Sequence, residues 1–262
     1  MSKAAPPALP ENSFRLDGEV ALITGGATGL GLGIAREFVR AGAKVVLTGR
    51  RQAELDAARA SLGADAFSVA HDITATERAA DLMSASEALA GAPVTLLVNN
   101  AGIHLKKAAV ATTAREFAEV LQTHVIGAHA LSAAILPSMM ARKHGSILFI
   151  ASMASLFGIP KVIAYSAAKS AHLGMVRTLA VEAGASGVRV NAIAPGWIDS
   201  AMSRKALDDD PTRKSKILGR TPLGRLGEAC DIGLAAVYLS SPAARFVTGT
   251  VLAVDGGVSI GF

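Results

Sequence analysis

The chain has 262 residues, of which 51% are hydrophobic and 18% charged, so it has enough apolar side chains for a large core and is not a disordered protein. Its single cysteine, Cys230, excludes an intramolecular disulfide framework and a multi-cysteine zinc site, and a lone thiol suits a reducing cytoplasm. The 26 basic and 21 acidic side chains give a net charge of +5, and because no long Lys/Arg run occurs we expect a basic surface and no nucleic-acid partner.

Short apolar runs alternate with longer helical segments along the chain. Residues 1–14 contain several prolines and no apolar core, so we expect a flexible tail and not a signal peptide. The predicted strands are Val20–Thr24, Lys44–Thr48, Ala66–Ala70, Val94–Asn99, Ser146–Ala151, Arg189–Ile193 and Val251–Val254. The predicted helices are Leu32–Ala41, Gln52–Ser61, Thr74–Ala90, Arg115–Arg142, Ala164–Ala183 and Glu228–Leu239.

The predicted strands are apolar on both faces, a pattern typical of strands buried between two layers of helices. Strand–helix–strand repetition implies right-handed crossovers between parallel strands. The sequence therefore predicts an α/β fold, with a doubly wound parallel, Rossmann-like β-sheet and helices on both faces, in a single domain over residues 15–262. Residues 196–227 are the least regular internal segment, and we expect them to form a substrate lid over the sheet.

The segment from Val120 to Ala141 contains no Asp, Glu, Lys or Arg and is long enough to span a bilayer. Polar residues and a proline interrupt it, among them Gln122, His129 and Pro137. We therefore expect a buried helix of a globular core and no membrane partner. Cover from a second subunit would hide its apolar face, which favours a homo-oligomer, either a dimer or a tetramer.

A glycine-rich turn, Thr24-Gly25-Gly26-Ala27-Thr28-Gly29-Leu30-Gly31, follows the first predicted strand and leads into a helix. Glycines let the backbone approach a pyrophosphate closely, and the N–H groups at a helix N-terminus point at its charge. A glycine cluster alone is weak evidence, but its position at the first strand-to-helix turn favours dinucleotide binding. The candidate cofactor-binding residues here are Gly25, Thr28, Gly29, Leu30 and Gly31.

The second predicted strand ends in Gly49-Arg50-Arg51, about 20 residues beyond the glycines. Nucleotide folds that prefer NAD place an acidic residue here to hold the ribose 2′-hydroxyl, whereas an arginine can pair with the 2′-phosphate of NADP. Arg50 and Arg51 therefore favour NADP as the cofactor, with NAD as the alternative. A solvated start to the next helix is the other interpretation of this pair.

Polar residues follow the next two predicted strands and point to the same crevice, so Asp72, Ile73, Asn99 and Asn100 are further candidate cofactor-binding residues. Asp72, followed by Ile73, comes after the third strand, and Asn99 and Asn100 end the fourth. Asp72 could accept from an adenine amino group, and the asparagines could tie neighbouring strand ends together. Each of these residues is equally well explained as part of a turn or a cap.

Tyr165 and Lys169 are four residues apart, and Ser152 precedes Tyr165 by thirteen. On a helix, Tyr165 and Lys169 share one face. A nearby ammonium favours the phenolate, so we expect Lys169 to lower the pKa of Tyr165 toward the range useful for proton transfer. Ser152, at the end of the fifth strand, would hydrogen-bond a carbonyl oxygen of the substrate.

These residues together resemble the short-chain dehydrogenases/reductases, in the single-domain branch, from about Arg15 to the end of the chain. The resemblance rests on Thr24–Gly31, Asp72-Ile73, Asn99–Gly102, Ser152, Tyr165, Lys169, Pro195–Ser200, Val247–Gly249 and Val254–Gly257. It implies that Tyr165 is the catalytic acid/base, that Ser152 orients the substrate oxygen and that Lys169 also holds the nicotinamide ribose. It further implies that Ile198 meets the nicotinamide carboxamide and that Ser200 replaces the family's usual threonine.

His124 is a departure from the family pattern, which commonly has an asparagine here that holds a proton-relaying water. A histidine can also hold a water and titrates near neutrality, so His124 is a fourth candidate catalytic residue. Sequence drift that leaves the relay to another group explains the residue equally well.

The resemblance implies an NADP(H)-dependent oxidoreductase that interconverts a secondary alcohol and a ketone, with a small-molecule substrate, no metal and a cytoplasmic location. A non-catalytic dinucleotide sensor with the same fold is the alternative. Basic residues near the mouth, among them Lys106 and Lys107, would suit a keto-sugar acid or an acyl thioester on an acidic carrier protein. Apolar Phe157 and Ile159 would suit a lipophilic ketone equally well.

Overall fold

Parallel strands form one seven-stranded sheet in the computed structural model, which describes residues 13–199 and 211–261. The strands are β1 (Val20–Thr24), β2 (Lys44–Gly49), β3 (Ala66–Ala70), β4 (Leu96–Asn99), β5 (Gly145–Ile150), β6 (Val188–Pro195) and β7 (Val251–Val254). Their order across the sheet is β3-β2-β1-β4-β5-β6-β7, and every neighbouring pair is parallel. The predicted parallel sheet is confirmed.

Helices cover both faces of this sheet. They are α1 (Gly29–Arg40), α2 (Gln52–Leu62), α3 (Ala79–Ala90), α4 (Ala114–Leu121), α5 (Gly127–Arg142), α6 (Ile163–Gly184), α7 (Pro211–Arg220) and α8 (Ala229–Ser240). Leu22 of β1 packs in a core with α3, α5 and α6, whereas Ile23 beside it packs in a second core with α1, α2 and α8. Burial on both faces is why the strands are apolar throughout.

The strand order places the functional crevice between β1 and β4. The chain runs from β1 outward to β3 and then returns to β4 on the other side of β1. The loops that follow β1 and β4 therefore leave the sheet in opposite directions, and this opens a crevice at the carboxyl ends of the strands. Ile23 pairs with both Leu47 and Val98, so β1, β2 and β4 end close together.

The long helix predicted over Arg115–Arg142 is divided in the structure. Its first part, α4, begins after a capping box in which Glu116 N donates to Thr113 Oγ1 at 3.2 Å and Thr113 N donates to Glu116 Oε2 at 2.9 Å. Between α4 and α5, Gln122–Ile126 form one wider turn of π-helix. Such turns are frequent at functional sites, and His124 lies in this one.

The whole stretch Ala114–Arg142 is apolar and long enough to cross a membrane by length and composition. The side chains of Ala128, Leu131 and Ile135 from its second half are nevertheless buried in the core beneath the sheet. The stretch is therefore packed as a core helix of the fold.

Several predicted boundaries are wrong, among them the start of the first helix, which begins at Gly29 rather than at Leu32. The helix predicted from Thr74 begins only at Ala79, because Asp72 Oδ1 accepts from Thr74 N at 3.0 Å and forms a turn there. The predicted flexible tail includes Ser13 and Phe14, but Ser13 O accepts from Ala243 N at 2.9 Å and the Phe14 ring lies 6.2 Å from that of Tyr238.

The fourth strand begins at Leu96 rather than at Val94, because Val94 N donates to the Glu87 carboxylate at 3.1 Å instead of to a neighbouring strand. Residues 1–12 of the predicted tail and residues 200–210 of the predicted lid lie outside the described residues. The described part of the lid includes α7, whose last residue Arg220 lies 4.8 Å above the Phe157 ring.

Candidate active site

A cleft of about 730 Å³ opens at the carboxyl ends of the strands. The sequence-predicted site residues that line it are Gly25, Thr28, Gly29, Leu30, Arg50, Arg51, Asp72, Ile73, Asn100, His124, Ser152, Tyr165, Lys169 and Ile198. Candidate residues as far apart in the sequence as Gly25 and Ile198 thus share one cavity. Another candidate, Ser200, lies outside the described residues.

The glycine-rich turn after β1 has the shape of an anion cradle. Gly25 and Gly29 adopt positive φ angles of +61° and +55°, which favour glycine. A Cβ at Gly29 would meet no described atom within 4 Å, so the backbone there faces open space. Thr28 is the N-cap residue of α1, but its side chain forms no capping hydrogen bond, and the first turn of the helix has no acidic residue. Its N–H groups therefore fit a phosphate.

Gly31 and Asn100 support this turn from below. A Cβ at Gly31 would collide with the carbonyl oxygen of Gly25, so the glycine permits close packing of α1 on the turn and does not line the cleft. Asn100 Nδ2 donates to the carbonyl oxygens of Thr24 (2.9 Å) and Gly25 (3.1 Å). The expectation that an asparagine ties strand ends together is confirmed at Asn100.

The prediction that Asn99 contacts a cofactor is not supported. Its side chain turns to the other face of the sheet, is buried there and donates from Nδ2 to Ser132 Oγ at 3.1 Å. It is absent from the described lining of the cleft. Consecutive residues of a strand point to opposite faces, so Asn99 and Asn100 cannot both enter the crevice.

Arg50, Arg51 and Asp72 line the far end of the cleft. The two arginine side chains are exposed, and Arg51 forms an ion pair with Glu54 at 2.7 Å. The Thr74 backbone N–H lowers the pKa of Asp72, and the charge of Arg50 acts in the same direction. A Cβ at Gly49 would meet no described atom within 4 Å, so the end of β2 is open to a ligand.

Ser152, Tyr165 and Lys169 meet at the other end of the cleft. Ser152 follows β5, and its Oγ accepts from Ala154 N at 3.0 Å. Lys169 Nζ lies 5.6 Å from the centre of the Tyr165 ring and donates to the Ile150 carbonyl oxygen at 2.6 Å. The predicted triad is therefore assembled in one cavity.

The electrostatics of this triad correct one expectation. Burial raises the pKa of Tyr165, while a hydrogen bond from Ser152 acts in the opposite direction. Lys169 is 3% exposed, and burial lowers its pKa to about 7. The expected net lowering of the pKa of Tyr165 is not found, because desolvation dominates. Tyr165 is therefore a neutral phenol with a proton to donate.

His124 is buried against Tyr165, and its ring stands edge-on to the tyrosine ring at 5.5 Å. Its Nε2 lies 3.0 Å from Ile103 N and 2.8 Å from Ile103 O. A Cβ at Gly102 would overlap the ring, so a glycine is needed there. Burial, followed by the charge of Lys169, lowers the pKa of His124 to about 3. The ring is neutral at physiological pH, which contradicts the expected titration near neutrality.

Two further histidines lie near Tyr165, and the sequence analysis missed His172 as a site residue. The His104 ring lies 5.1 Å from that of Tyr165, and His172 is buried behind Lys169 with its Nε2 2.8 Å from the His124 carbonyl oxygen. The i, i+3 spacing of Lys169 and His172 on one helix was the available signal. No group of three or more His, Cys, Asp or Glu that could hold a metal ion occurs among the described residues.

A family model described as enoyl-(acyl carrier protein) reductase matches residues 25–259. A galactitol 2-dehydrogenase (L-tagatose-forming) of Cereibacter sphaeroides is 41% identical over 250 residues, which are 94% of this chain and 97% of that protein. The chain belongs to the short-chain dehydrogenase/reductase family.

Two other members of the family bear on its activity. An inactive 2-(S)-hydroxypropyl-CoM dehydrogenase 2 of Xanthobacter autotrophicus is 41% identical over 86% of this chain and 99% of its own. The crystal structure of a gluconate 5-dehydrogenase from Burkholderia cenocepacia, in complex with NADP and tartrate, has a TM-score of 0.90. It is 30% identical and covers 96% of this chain and 99% of its own. Members with and without activity therefore share this fold.

Proposed function

We propose that this short-chain dehydrogenase/reductase interconverts a secondary alcohol and a ketone with NADP(H), and that its substrate is a polyol or a sugar acid. The observation that carries the proposal is the assembly of Ser152, Tyr165 and Lys169 in the same cleft as the glycine turn and Arg50. The NADP of the gluconate 5-dehydrogenase structure and the polyol of the galactitol enzyme support the choice of cofactor and substrate.

The described residues fit a dinucleotide along the whole cleft. The N–H groups at the start of α1, beside Gly29, would hold its pyrophosphate, and Arg50 and Arg51 would pair with a 2′-phosphate. Asp72, Asn100, Lys169 and Ile198 line the remainder of its path. When bound, the nicotinamide supplies or accepts a hydride.

The chain's own contribution is to orient the substrate and to transfer a proton. In ketone reduction the Tyr165 hydroxyl donates its proton to the carbonyl oxygen, and Ser152 holds that oxygen by a hydrogen bond. Lys169, whose pKa is about 7, can then return a proton to the Tyr165 phenolate and regain one from solvent. Alcohol oxidation uses the same groups in reverse.

A carboxylate is the substrate group best suited to the mouth of the cleft. His104 and Lys106 are exposed and line the cleft, and the His104 ring lies 5.1 Å from that of Tyr165. The next residue, Lys107, donates from Nζ to the Glu116 carboxylate at 2.8 Å and from its backbone N to Lys161 O at 2.8 Å. These two hydrogen bonds hold the loop in place. The acidic residues among the described lining, Glu54 and Asp72, lie at the opposite end.

The experiment is a spectrophotometric assay of NADPH and NADH with paired substrates that differ in charge, such as gluconate and galactitol and their ketones. We expect turnover with NADPH and a preference for the acid. Lys106→Ala should remove that preference by raising the Michaelis constant for the acid alone. Lys161→Ala is the matched control, because its exposed side chain lies outside the cleft.

An acyl thioester on an acidic carrier protein is the second candidate, favoured by the acyl chemistry in the description of the family model and by the cationic mouth. Turnover of a 3-oxoacyl thioester, but not of sugar acids, would replace the first proposal. The non-catalytic alternative predicts tight NADPH binding with no turnover of any substrate in the panel.

We also propose a homo-oligomer in the cytoplasm. Large apolar side chains lie exposed around α5 and α6, among them Ile126 (46%), Ile163 (46%) and Val181 (83%). A second copy that covered them would remove apolar surface from water. Light scattering at micromolar concentration should give a dimer or a tetramer, and a monomer would refute the proposal.

A further inference from the structure

Two buried histidines lie behind Tyr165 with more polar atoms than the described residues satisfy. His124 is 2% exposed and His172 is 1% exposed, and their ring centres are 6.4 Å apart. His172 also packs on the Phe149 ring at 5.3 Å. The Nδ1 atoms of both rings are buried and have no hydrogen-bond partner among the described residues. A buried polar atom without a hydrogen-bond partner lowers the stability of the fold, so each of these two atoms needs an explanation.

The two histidines link the three elements that form the catalytic end of the cleft. His172 of α6 donates from Nε2 to the carbonyl oxygen of His124 at 2.8 Å. The Nε2 of His124 in turn contacts the backbone of Ile103 in the loop after β4, at 3.0 Å from N and 2.8 Å from O. Helix α6 also carries Tyr165 and Lys169. One chain of hydrogen bonds therefore sets the spacing of all three elements.

The hydrogen bond of His172 determines its tautomer. A carbonyl oxygen only accepts, so the Nε2 atom of His172 carries the proton. Burial, followed by the charge of Lys169, lowers the pKa of His172 to about 3, although the carbonyl oxygens of His124 and Ile150 act in the opposite direction. The ring is thus neutral, and its buried Nδ1 is left as a lone-pair acceptor. Lys169 is the cationic donor nearby.

We propose that His172 is a positioning residue that fixes Lys169 and the π-turn relative to each other, and whose Nδ1 accepts a hydrogen bond from the Lys169 ammonium through one water. Lys169 has three N–H donors, of which one is used by the Ile150 carbonyl oxygen. The side chain of His124 would then be a brace for the loop at Ile103 and not a proton carrier. The kinetic test of this assignment rests on the proposed function.

The electrostatic surroundings of the pair are simple. The titratable groups that face it are Lys169 and Tyr165 from α6 and His104 from the loop after β4. Strand β5 contributes the Phe149 ring and the Ile150 carbonyl oxygen. Lys169 is therefore the group whose proton affinity the ring of His172 would change.

The first test compares His172→Leu with His172→Gln. Leucine fills the space but offers neither donor nor acceptor, whereas glutamine offers both. We expect His172→Leu to lower kcat for ketone reduction about 10-fold with Michaelis constants within about 2-fold, because the position of Lys169 and not substrate binding is disturbed. The alkaline limb of the pH profile of kcat should move to lower pH, since the Lys169 ammonium has a lower pKa once the acceptor on His172 is removed. His172→Gln should restore both.

Two controls separate positioning from simple packing. Val176→Ala removes buried volume one turn further along α6 and should lower the melting temperature without moving the pH profile. In Gly102→Ala the new Cβ presses on the His124 ring from the other side, so this variant should reproduce the loss of kcat. In Gly158→Ala the new Cβ meets no described atom within 4 Å, so kcat should not change. Equal kcat and pH profiles in His172→Leu and wild type would overturn the proposal.

A readout without turnover completes the test. Nitrogen-15 NMR of labelled histidine in the protein without substrate should show the His172 ring neutral from pH 5 to pH 9, with the proton on Nε2 and a hydrogen-bonded Nδ1. A protonated Nδ1, or a cationic ring in that range, would overturn the assignment. This measurement stands even if no substrate is found, in which case only the proposed function fails.

Discussion

The two ends of the cleft differ in how they use charge. At the far end, Arg51 and Glu54 form an ion pair in which the side chains are 72% and 36% exposed, so water screens their attraction. At the catalytic end, Lys169 and His172 are almost fully buried, and burial is the largest cause that lowers the pKa of Lys169 to about 7 and that of His172 to about 3. Electrostatic interactions are far stronger when water is excluded. Substitutions at the catalytic end should therefore change the chemistry, whereas those at the far end should change selectivity.

The largest effect is expected at Tyr165. Tyr165→Phe keeps the ring and removes the transferable proton, so kcat should fall by at least ~10²-fold, the low end for acid–base catalysis. Binding of NADPH, followed by its fluorescence, should change little, because the ring still fills its place. A variant with near-wild-type kcat would show that another group supplies the proton and would remove the contrast between the two ends.

Lys169 should limit stability as well as support catalysis. Its pKa of about 7 lies below the ordinary 10.5, so the unfolded chain binds more protons than the folded one between these values and stability rises with pH over that window. Lys169→Met leaves the Ile150 carbonyl oxygen unpaired, at a cost of about 1–3 kcal/mol, but removes a buried charge whose desolvation costs several kcal/mol.

Removal of the buried charge is the larger of these two effects, so Lys169→Met should melt a few degrees higher than wild type at pH 6.5, by calorimetry. The variant should be inactive, because it lacks the ammonium beside Tyr165. The gap should narrow as the pH rises toward 10, because the cost of deprotonating this lysine on folding falls as the pH approaches its ordinary pKa of 10.5. A variant that melts lower at every pH would show that the hydrogen bond to Ile150 outweighs the burial of charge.

The fold and the cleft were readable from the sequence because they rest on short-range patterns. Buried parallel strands leave apolar runs, and Tyr165 and Lys169 are neighbours on one helix turn. The direction of Asn99 depends on which face of β4 it occupies, and the π-turn at His124 depends on one extra residue within a continuous helix. The role of His172 depends on a carbonyl oxygen 48 residues away, and a single sequence carries no signal for that contact.

The choice of cofactor tests the exposed end. If Arg50 and Arg51 pair with the 2′-phosphate, the double alanine variant should raise the Michaelis constant for NADPH about 10-fold and leave that for NADH nearly unchanged. The double variant is needed because one arginine can substitute for the other. Arg59→Ala, which changes an exposed arginine of α2 outside the cleft, is the matched control.

An acidic residue at Gly49 should extend this shift. The space around a Cβ there is open, so Gly49→Asp fits without strain. Its carboxylate would repel the 2′-phosphate and accept from a free 2′-hydroxyl, which should reverse the preference toward NADH. A wild-type preference for NADH that survives the loss of both Arg50 and Arg51 would contradict the assignment.

The smallest effect is expected away from the cleft, at the amino ends of the strands. There His144 Nε2 lies 2.9 Å from Glu19 Oε1. The hydrogen bond to Glu19 raises the pKa of His144, so its stabilisation is complete below about pH 6.5 and is lost as the pH rises through the raised value. Burial opposes ionisation of Glu19, but its hydrogen bonds to His144 and Thr95 outweigh burial and lower its pKa. The stabilisation that the Glu19 carboxylate contributes is therefore lost only as the pH falls through this lowered pKa.

The pair should therefore stabilise the fold most between about pH 4.5 and pH 6.5. Because the His144 side chain is 58% exposed, we expect His144→Ala to cost only about 0.5 kcal/mol of unfolding free energy at pH 6, and less at pH 8.5, in urea titrations. Activity should be unchanged at both values, since the pair touches neither end of the cleft. A loss of stability that is larger at pH 8.5 than at pH 6 would mean that His144 acts through packing and not through its charge.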